Sequence, residues 1–243
     1  MPEDGRSAAI FRGMIDAVGD RADEVGPERT ISAHWPFVGT QFRGLLVAAQ
    51  GLDGWDAEVS SGRWRVEEAR LPADREHLFR GAQRWARSRP EPISEPMLSS
   101  AKRRRAPFWG FSKRLALLTE PDLPGPWLAR YAWWNVFPLA WERGSASGIL
   151  KELQAPLVAD LFWAVVEDLR VDRVALVAGK GWWPELRDLL GLTMMTPAPR
   201  PLIARGRVRG VAIVATYHPG ARMKGVTRDD LAQSAADALN EVR

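Results

Sequence analysis

The chain has 243 residues, 46% of them apolar and 26% charged, and a formal charge of +4, with a pI near 9.8. These are the proportions of a globular protein with a substantial core, not those of a disordered chain. With no cysteine in the chain, disulfides, thiolate metal sites, iron–sulfur clusters and a cysteine nucleophile are excluded too.

In chain order, the start MPEDGRS lacks a basic segment followed by an apolar one, and the run PLVADLFWAVV is interrupted by Asp160. A cytoplasmic protein with neither signal peptide nor transmembrane helix is expected. Residues 7–18, SAAIFRGMIDAV, place Ile10, Met14, Ile15 and Val18 on one face and predict an amphipathic helix packed on the body. A loop with His34, Trp35 and Pro36 leads to the uncharged run GLLVAAQ from Gly44, followed by a turn carrying Gly51, Asp53 and Gly54. A buried strand ending in a polar, glycine-bearing loop is how α/β proteins present reactive side chains at the carboxyl edge of a sheet. Residues 75–88 predict a short helix, and prolines 90, 92 and 96 an irregular linker. In AKRRRAPFWGFSKRLALL, cations are interleaved with Phe108, Trp109 and Phe111, and the last part is helical. Its aromatics either stack bases or enter the core while the cations snorkel.

RYAWWNVFPL at 130–139 predicts a second strand, ending at Asn135 and stopped by Pro138. Residues 156–169 predict a helix with Pro156 in its first turn and Leu157, Val158, Leu161, Phe162, Val165, Val166 and Leu169 at helical spacing. RVALVAGKG at 173–181 reads as a buried strand closing in a glycine turn, and WWPELRDLLG as a short helix ended by Gly191. Strand, helix and strand in this succession make a parallel unit. PLIARGRVRGVAIVATYHPG predicts a hairpin with Arg205 and Gly206 at its turn, continuing into VAIVAT and ending at His218, Pro219 and Gly220. Thr227 caps the last helix, Asp230 follows three positions on, and Leu231, Ala235, Leu239 and Val242 form its inner face.

Four buried strands, near 45–49, 130–136, 173–179 and 211–216, thus alternate with helices. They predict one domain over residues 1–243, with the 7–18 helix packed on it: a three-layer α/β/α sandwich around a central, mainly parallel four-stranded sheet. Its strand ends open onto one edge, which gathers Gln50, Asp53, Asn135, the Gly179–Gly181 turn and His218. The positive charge is concentrated at Lys102–Arg105, Lys113, Arg114, Arg200, Arg205, Arg207, Arg209, Arg222 and Lys224. Such clusters attract phosphates, which makes nucleic acid the expected partner. The Gly179–Lys180–Gly181 run lacks the spacing of a phosphate loop. His34 and His77 read as structural or surface residues, and most of the twelve tryptophans as core, with Trp55 and Trp133–Trp134 placed to stack a base.

The segments AAQGLDG (48–54), WWNVFP (133–138), VALVAGKGW (174–182) and TYHPG (216–220) together resemble the uracil-DNA glycosylase superfamily. In that family the first strand ends in a Gly-Gln-Asp-Pro or Gly-Glu-Ala-Pro-Gly loop, the second at an Asn, the third in a Leu-Gly turn and the fourth in His-Pro-Ser. The similarity covers residues 44–242 in order and spacing. It implies a monofunctional DNA glycosylase acting without metal or other cofactor, as a monomer. His218 then donates to the departing pyrimidine and Asn135 reads its Watson–Crick edge, with Gly51 and Trp55 beside the base. Pro219, Gly220, Arg222, Met223 and Lys224 correspond to the loop that enters DNA, with Arg222 on a phosphate and Met223 as the apolar wedge.

The first loop departs from the family pattern, because Ala49, Gln50, Gly51 and Leu52 stand where Gly, Gln or Glu, Asp and Pro are usual. Cleavage of a deoxynucleoside builds positive charge on the sugar and negative charge on the base, so an anion near C1′ and donors near the base are required. Asp53, two residues past the vacated acid position, is the first candidate for the anion, with Gln50 contributing beside it. Asp53 also replaces the tyrosine with which uracil-specific members exclude the thymine methyl, which leaves room for a 5-substituted pyrimidine. Hydroxymethylated or glucosylated cytosine of phage DNA, and hence antiviral defence, is one expectation beside uracil repair. A fold retained for nucleic-acid binding without catalysis is the alternative.

Overall fold

In a computed structural model, the residues described are 5–49, 63–88, 106–141, 146–221 and 223–241. They are mixed α/β and divide into two compact units: Met1–Phe37, Gln50–Arg89 and Trp134–Arg170, then Val38–Ala49, Pro90–Trp133 and Val171–Arg243. No helix among the described residues is long and apolar enough to cross a membrane.

The first unit holds α1 (Arg6–Asp20), α2 (Ala22–Val25), β1 (Thr30–Ala33), β4 (Arg63–Arg65), α3 (Pro72–Ser88), β6 (Leu139–Trp141) and α5 (Ile149–Asp168). The first helix buries Ala8, Phe11, Met14, Ile15 and Val18 and packs on α5 and α3. Phe11, one residue on from the expected Ile10, holds the inner position and meets the rings of Trp35 and Phe79 at 5.4 and 5.9 Å. The strands β4, β1 and β6 form an antiparallel sheet in that order. The outer edge of β6 meets α5, where the buried Gln154 amide accepts from the Leu139 N–H and donates to the Leu139 carbonyl, each at 2.8 Å.

Pro156 is not in a first turn, as the spacing had suggested. It is an interior residue of α5, because Leu150 and Leu153 extend the buried stripe N-terminally. An interior proline removes a helix hydrogen bond at a cost of about 3 kcal/mol, which the added burial and the three bonds of Gln154 to Leu139 and Leu150 offset. The third helix likewise begins earlier than expected, at Pro72.

The second unit holds β3 (Leu45–Ala49), α4 (Ala106–Thr119), β7 (Arg173–Val177), α6 (Gly179–Leu189), β8 (Thr196–Pro197), β9 (Leu202–Val208), β10 (Val211–Thr216) and α7 (Arg228–Glu241). Two of the unit boundaries fall inside β2 (Phe37–Val38) and β5 (Ala132–Asn135). The sheet is mixed and seven-stranded, in the order β2-β5-β3-β7-β10-β9-β8, not four-stranded. The four expected strands are β5, β3, β7 and β10, four of its five inner members, the fifth being β9; β2 and β8 are two residues each, too short to leave a periodic signal. β3, β7 and β10 are parallel, and their continuous apolar runs follow from burial on both faces.

The hairpin into β10 turns at Arg209–Gly210 and not at Arg205–Gly206. With φ of 49° and 80° these two residues make the tight turn that matches strand twist. A turn at 205–206 would leave most of β10 unpaired, whereas this one lets β9 run from Val208 opposite Val211 to Leu202 opposite Thr216. Of the aromatics in α4, Trp109 and Phe111 are core residues, and Trp109 meets Trp127 and Trp133 at 6.4 and 5.3 Å. Trp133 and Trp134 are also buried, which leaves them no open face for a base.

Candidate functional site at the carboxyl edge of the sheet

In sequence order β5, β3, β7 and β10 are second, first, third and fourth of these four across the sheet, so the direction of strand addition reverses between β3 and β7. Ligands of open α/β sheets bind outside the carboxyl ends of the strands at such a reversal. One strand further along, the β7 end and the β10 end lie side by side: a Cβ on Gly179 would be 3.8 Å from the His218 Cβ. The Gly179–Gly181 run, read from sequence as a turn, forms the first turn of α6, since the chain enters the helix two residues after β7 ends.

His218 follows β10 by two residues and is exposed. Its Nδ1 accepts the Gly220 backbone N–H at 3.1 Å. A ring nitrogen that accepts is unprotonated, so in the neutral imidazole Nε2 carries the proton and is the donor. The turn that makes this bond is tight at 220, where a Cβ would come within 3.2 Å of the same Nδ1 and 3.6 Å of Pro107 Cγ at the start of α4.

Beyond His218 the chain forms an open, shallow pocket of about 630 Å³ lined by Pro219, Ala221, Met223, Lys224, Val226, Thr227, Arg228 and Leu231. Three of the residues assigned to DNA from sequence, Pro219, Met223 and Lys224, are therefore brought together. The wall opposite them is the start of α7, capped as expected: the Thr227 N–H donates to Asp230 Oδ2 at 2.7 Å, and Thr227 Oγ1 accepts the Asp230 N–H at 3.1 Å. The two bonds from Thr227 to its carboxylate hold the Asp230 pKa below its ordinary value.

Sequence reasoning missed Val226, Arg228 and Leu231 as lining residues. The available signal was Arg228 itself, a cation in the first turn of a helix, where the macrodipole disfavours positive charge.

Asn135 belongs to the other unit, at the end of β5. It is 2% exposed, and its Nδ2 has no hydrogen-bond partner among the described residues. A buried amide left unsatisfied costs about 1–3 kcal/mol, a cost it shares with Gln83 Nε2 and Thr216 Oγ1. Gln50, Gly51, Asp53, Trp55 and Arg222 lie outside the described residues, as do Lys102–Arg105 and Val242. Among the described residues, no three His, Asp or Glu side chains cluster as metal ligands would. No protein-family model matches the chain, and no curated protein matches it.

Proposed function

We propose that the chain is a DNA glycosylase that turns out a pyrimidine, uracil or a 5-modified cytosine, and hydrolyses its N-glycosidic bond. The observation that carries this reading is the Gly220 N–H bond to His218 Nδ1, which presents a neutral Nε2–H donor at the carboxyl edge of the sheet. A donor fixed in advance stabilises charge where it develops, on the oxygen of a departing base, without reorganisation at the moment of reaction. In the proposed reaction the C1′–N bond breaks and its electron pair leaves with the base. Water adds to C1′, and its proton passes to Asp53, the acid that replaces the family's usual one. Asn135 contributes the amide that pairs with the base edge, since one amide both donates and accepts.

The reading carries with it a three-layer α/β/α sandwich and a single domain working in the cytoplasm on DNA. Single-turnover base release tests it, on DNA bearing uracil, hydroxymethylcytosine or glucosylated hydroxymethylcytosine, with alkali cleavage reporting abasic sites. Release that His218→Ala lowers by about 10²–10³-fold is expected, the cost of one oxyanion-type donor. Intact strands with every substrate, and DNA binding retained, would replace the reading with a non-catalytic DNA-binding protein.

A further inference from the structure

The arginines of the β9–β10 hairpin lie at the wrong edge of the sheet for DNA engaged at His218. The tip Arg209–Gly210 precedes β10 and His218 follows it, so the six residues of that strand separate them by about 20 Å. These cations belong instead to a part of the sheet that its helices leave partly open. Successive side chains of a strand alternate between faces, which puts Ile203, Arg205 and Arg207 on one face of β9 and Leu202, Ala204 and Gly206 on the other. The second set is covered: Leu202 and Ala204 are buried, and Met195, past the end of α6, packs against Gly206, where a Cβ would be 3.3 Å from the Met195 Cα. On the first face α7 meets β9 at Arg205, through Glu241 at its C-terminal end. Ile203 and Arg205 are half-buried there, and Arg207 and Thr196 of β8 are exposed.

That face is cationic and has an apolar margin. Between Asp188 and Asp229 the chain carries no acidic residue, while Arg200, Arg205, Arg207 and Arg209 fall on or beside the hairpin. Arg205 shows what such a guanidinium takes, because it holds the Glu241 carboxylate of the neighbouring helix. Arg207 is the next residue on the same face, and its Nη1 donates to the Gly210 carbonyl at 2.6 Å, which fixes the side chain along the turn. The margin is Met194, 81% exposed in the turn Leu192–Met195 that enters β8. A row of phosphates has no use for this methionine, and Pro197 of β8 lacks the N–H that a further strand would pair with at the outer edge. We infer that the β9–β8 face is a docking site for an acidic amphipathic helix of a partner protein. The helix lies beside α7, repeats the Glu241–Arg205 contact with a carboxylate on Arg207, and sets its apolar side on Ile203 and Met194. Complementary charge gives such a contact its specificity, and the apolar side of the helix gives it affinity. The inference is independent of the glycosylase reading.

The test is fluorescence anisotropy of the full chain at physiological salt with three probes. These are a helical peptide of about 18 residues with leucines along one side and glutamate and alanine elsewhere, a peptide of the same composition with the leucines scattered, and a DNA duplex of about 12 base pairs. The amphipathic peptide is expected to bind about tenfold or more tightly than the scattered one, as burial of one large apolar side chain gives. Met194→Ser should bring that ratio close to one. Arg207→Glu should weaken the amphipathic peptide by about tenfold or more, since like charges then meet across the contact. The same substitution should leave duplex affinity within about twofold, because a Debye length of about 8 Å is well short of the distance to His218. Equal binding of the two peptides by the native chain, a ratio that Met194→Ser leaves in place, or peptide affinity that Arg207→Glu does not change would each overturn the inference. So would a duplex weakened by Arg207→Glu as much as the peptide, which would make this face a second nucleic-acid surface.

Discussion

At the scale of single residues, two buried polar side chains bear on pH and stability in different ways. His34 is 1% exposed, and desolvation pushes its pKa down from 6.5 to about 3. As pH falls below about 6.5 the unfolded chain takes up this proton before the folded one, so stability is full above that value and declines toward pH 3. The loss approaches roughly 4 kcal/mol at the lower end. Thermal melts of the native chain and of His34→Gln between pH 7.5 and 4 should show the variant with the flatter acid limb. Asn135 presents the opposite case, a buried amide whose Nδ2 has no hydrogen-bond partner among the described residues. Asn135→Leu removes the unsatisfied Nδ2 and is expected to raise the unfolding free energy by about 1 kcal/mol, as read from denaturant midpoints, while base release is lost. A variant that is both less stable and still active would make Asn135 a packing residue.

At the scale of elements, legibility followed burial. β3 and β10 occupy the expected residues because an apolar run buried on both faces leaves few other conformations. The cap of α7 was equally legible, since Thr227 and Asp230 satisfy each other within one turn. The hairpin tip was not, because Arg205–Gly206 and Arg209–Gly210 are the same dipeptide and only the length of the partner strand decides between them. The site was legible at His218, Pro219, Met223 and Lys224, which lie on one continuous segment. Its far wall depends on how α7 closes over that segment, which no local pattern encodes.

The amino ends of the parallel strands are joined by backbone bonds and by the buried Arg173 side chain, which donates to the Arg43 carbonyl at 2.7 Å. The Gly44 carbonyl accepts the N–H groups of Asp172 and Arg173, each at 3.1 Å, and the Asp172 carbonyl accepts that of Ala212 at 2.9 Å. Gly44 has φ of +87°, and a Cβ there would fall 2.3 Å from Asp172 Oδ1. Gly44→Ala is therefore expected to cost about 2 kcal/mol or more in a urea titration, although no functional side chain is touched.

At the scale of the whole chain, sequence pattern found the inner strands and overlooked the three-stranded sheet of the first unit, whose strands are three or four residues long. That sheet ends at β6, and any such end exposes peptide groups able to pair with another polypeptide. Both free groups of Leu139 are instead taken by the Gln154 side chain. One amide there does the work of a further strand and stops the sheet from recruiting one. Gln154→Leu would reopen the position, and light scattering at rising concentration should then detect more self-association than in the native chain. The proline-bearing helix that delivers Gln154 thus also closes the Leu139 position of this sheet edge.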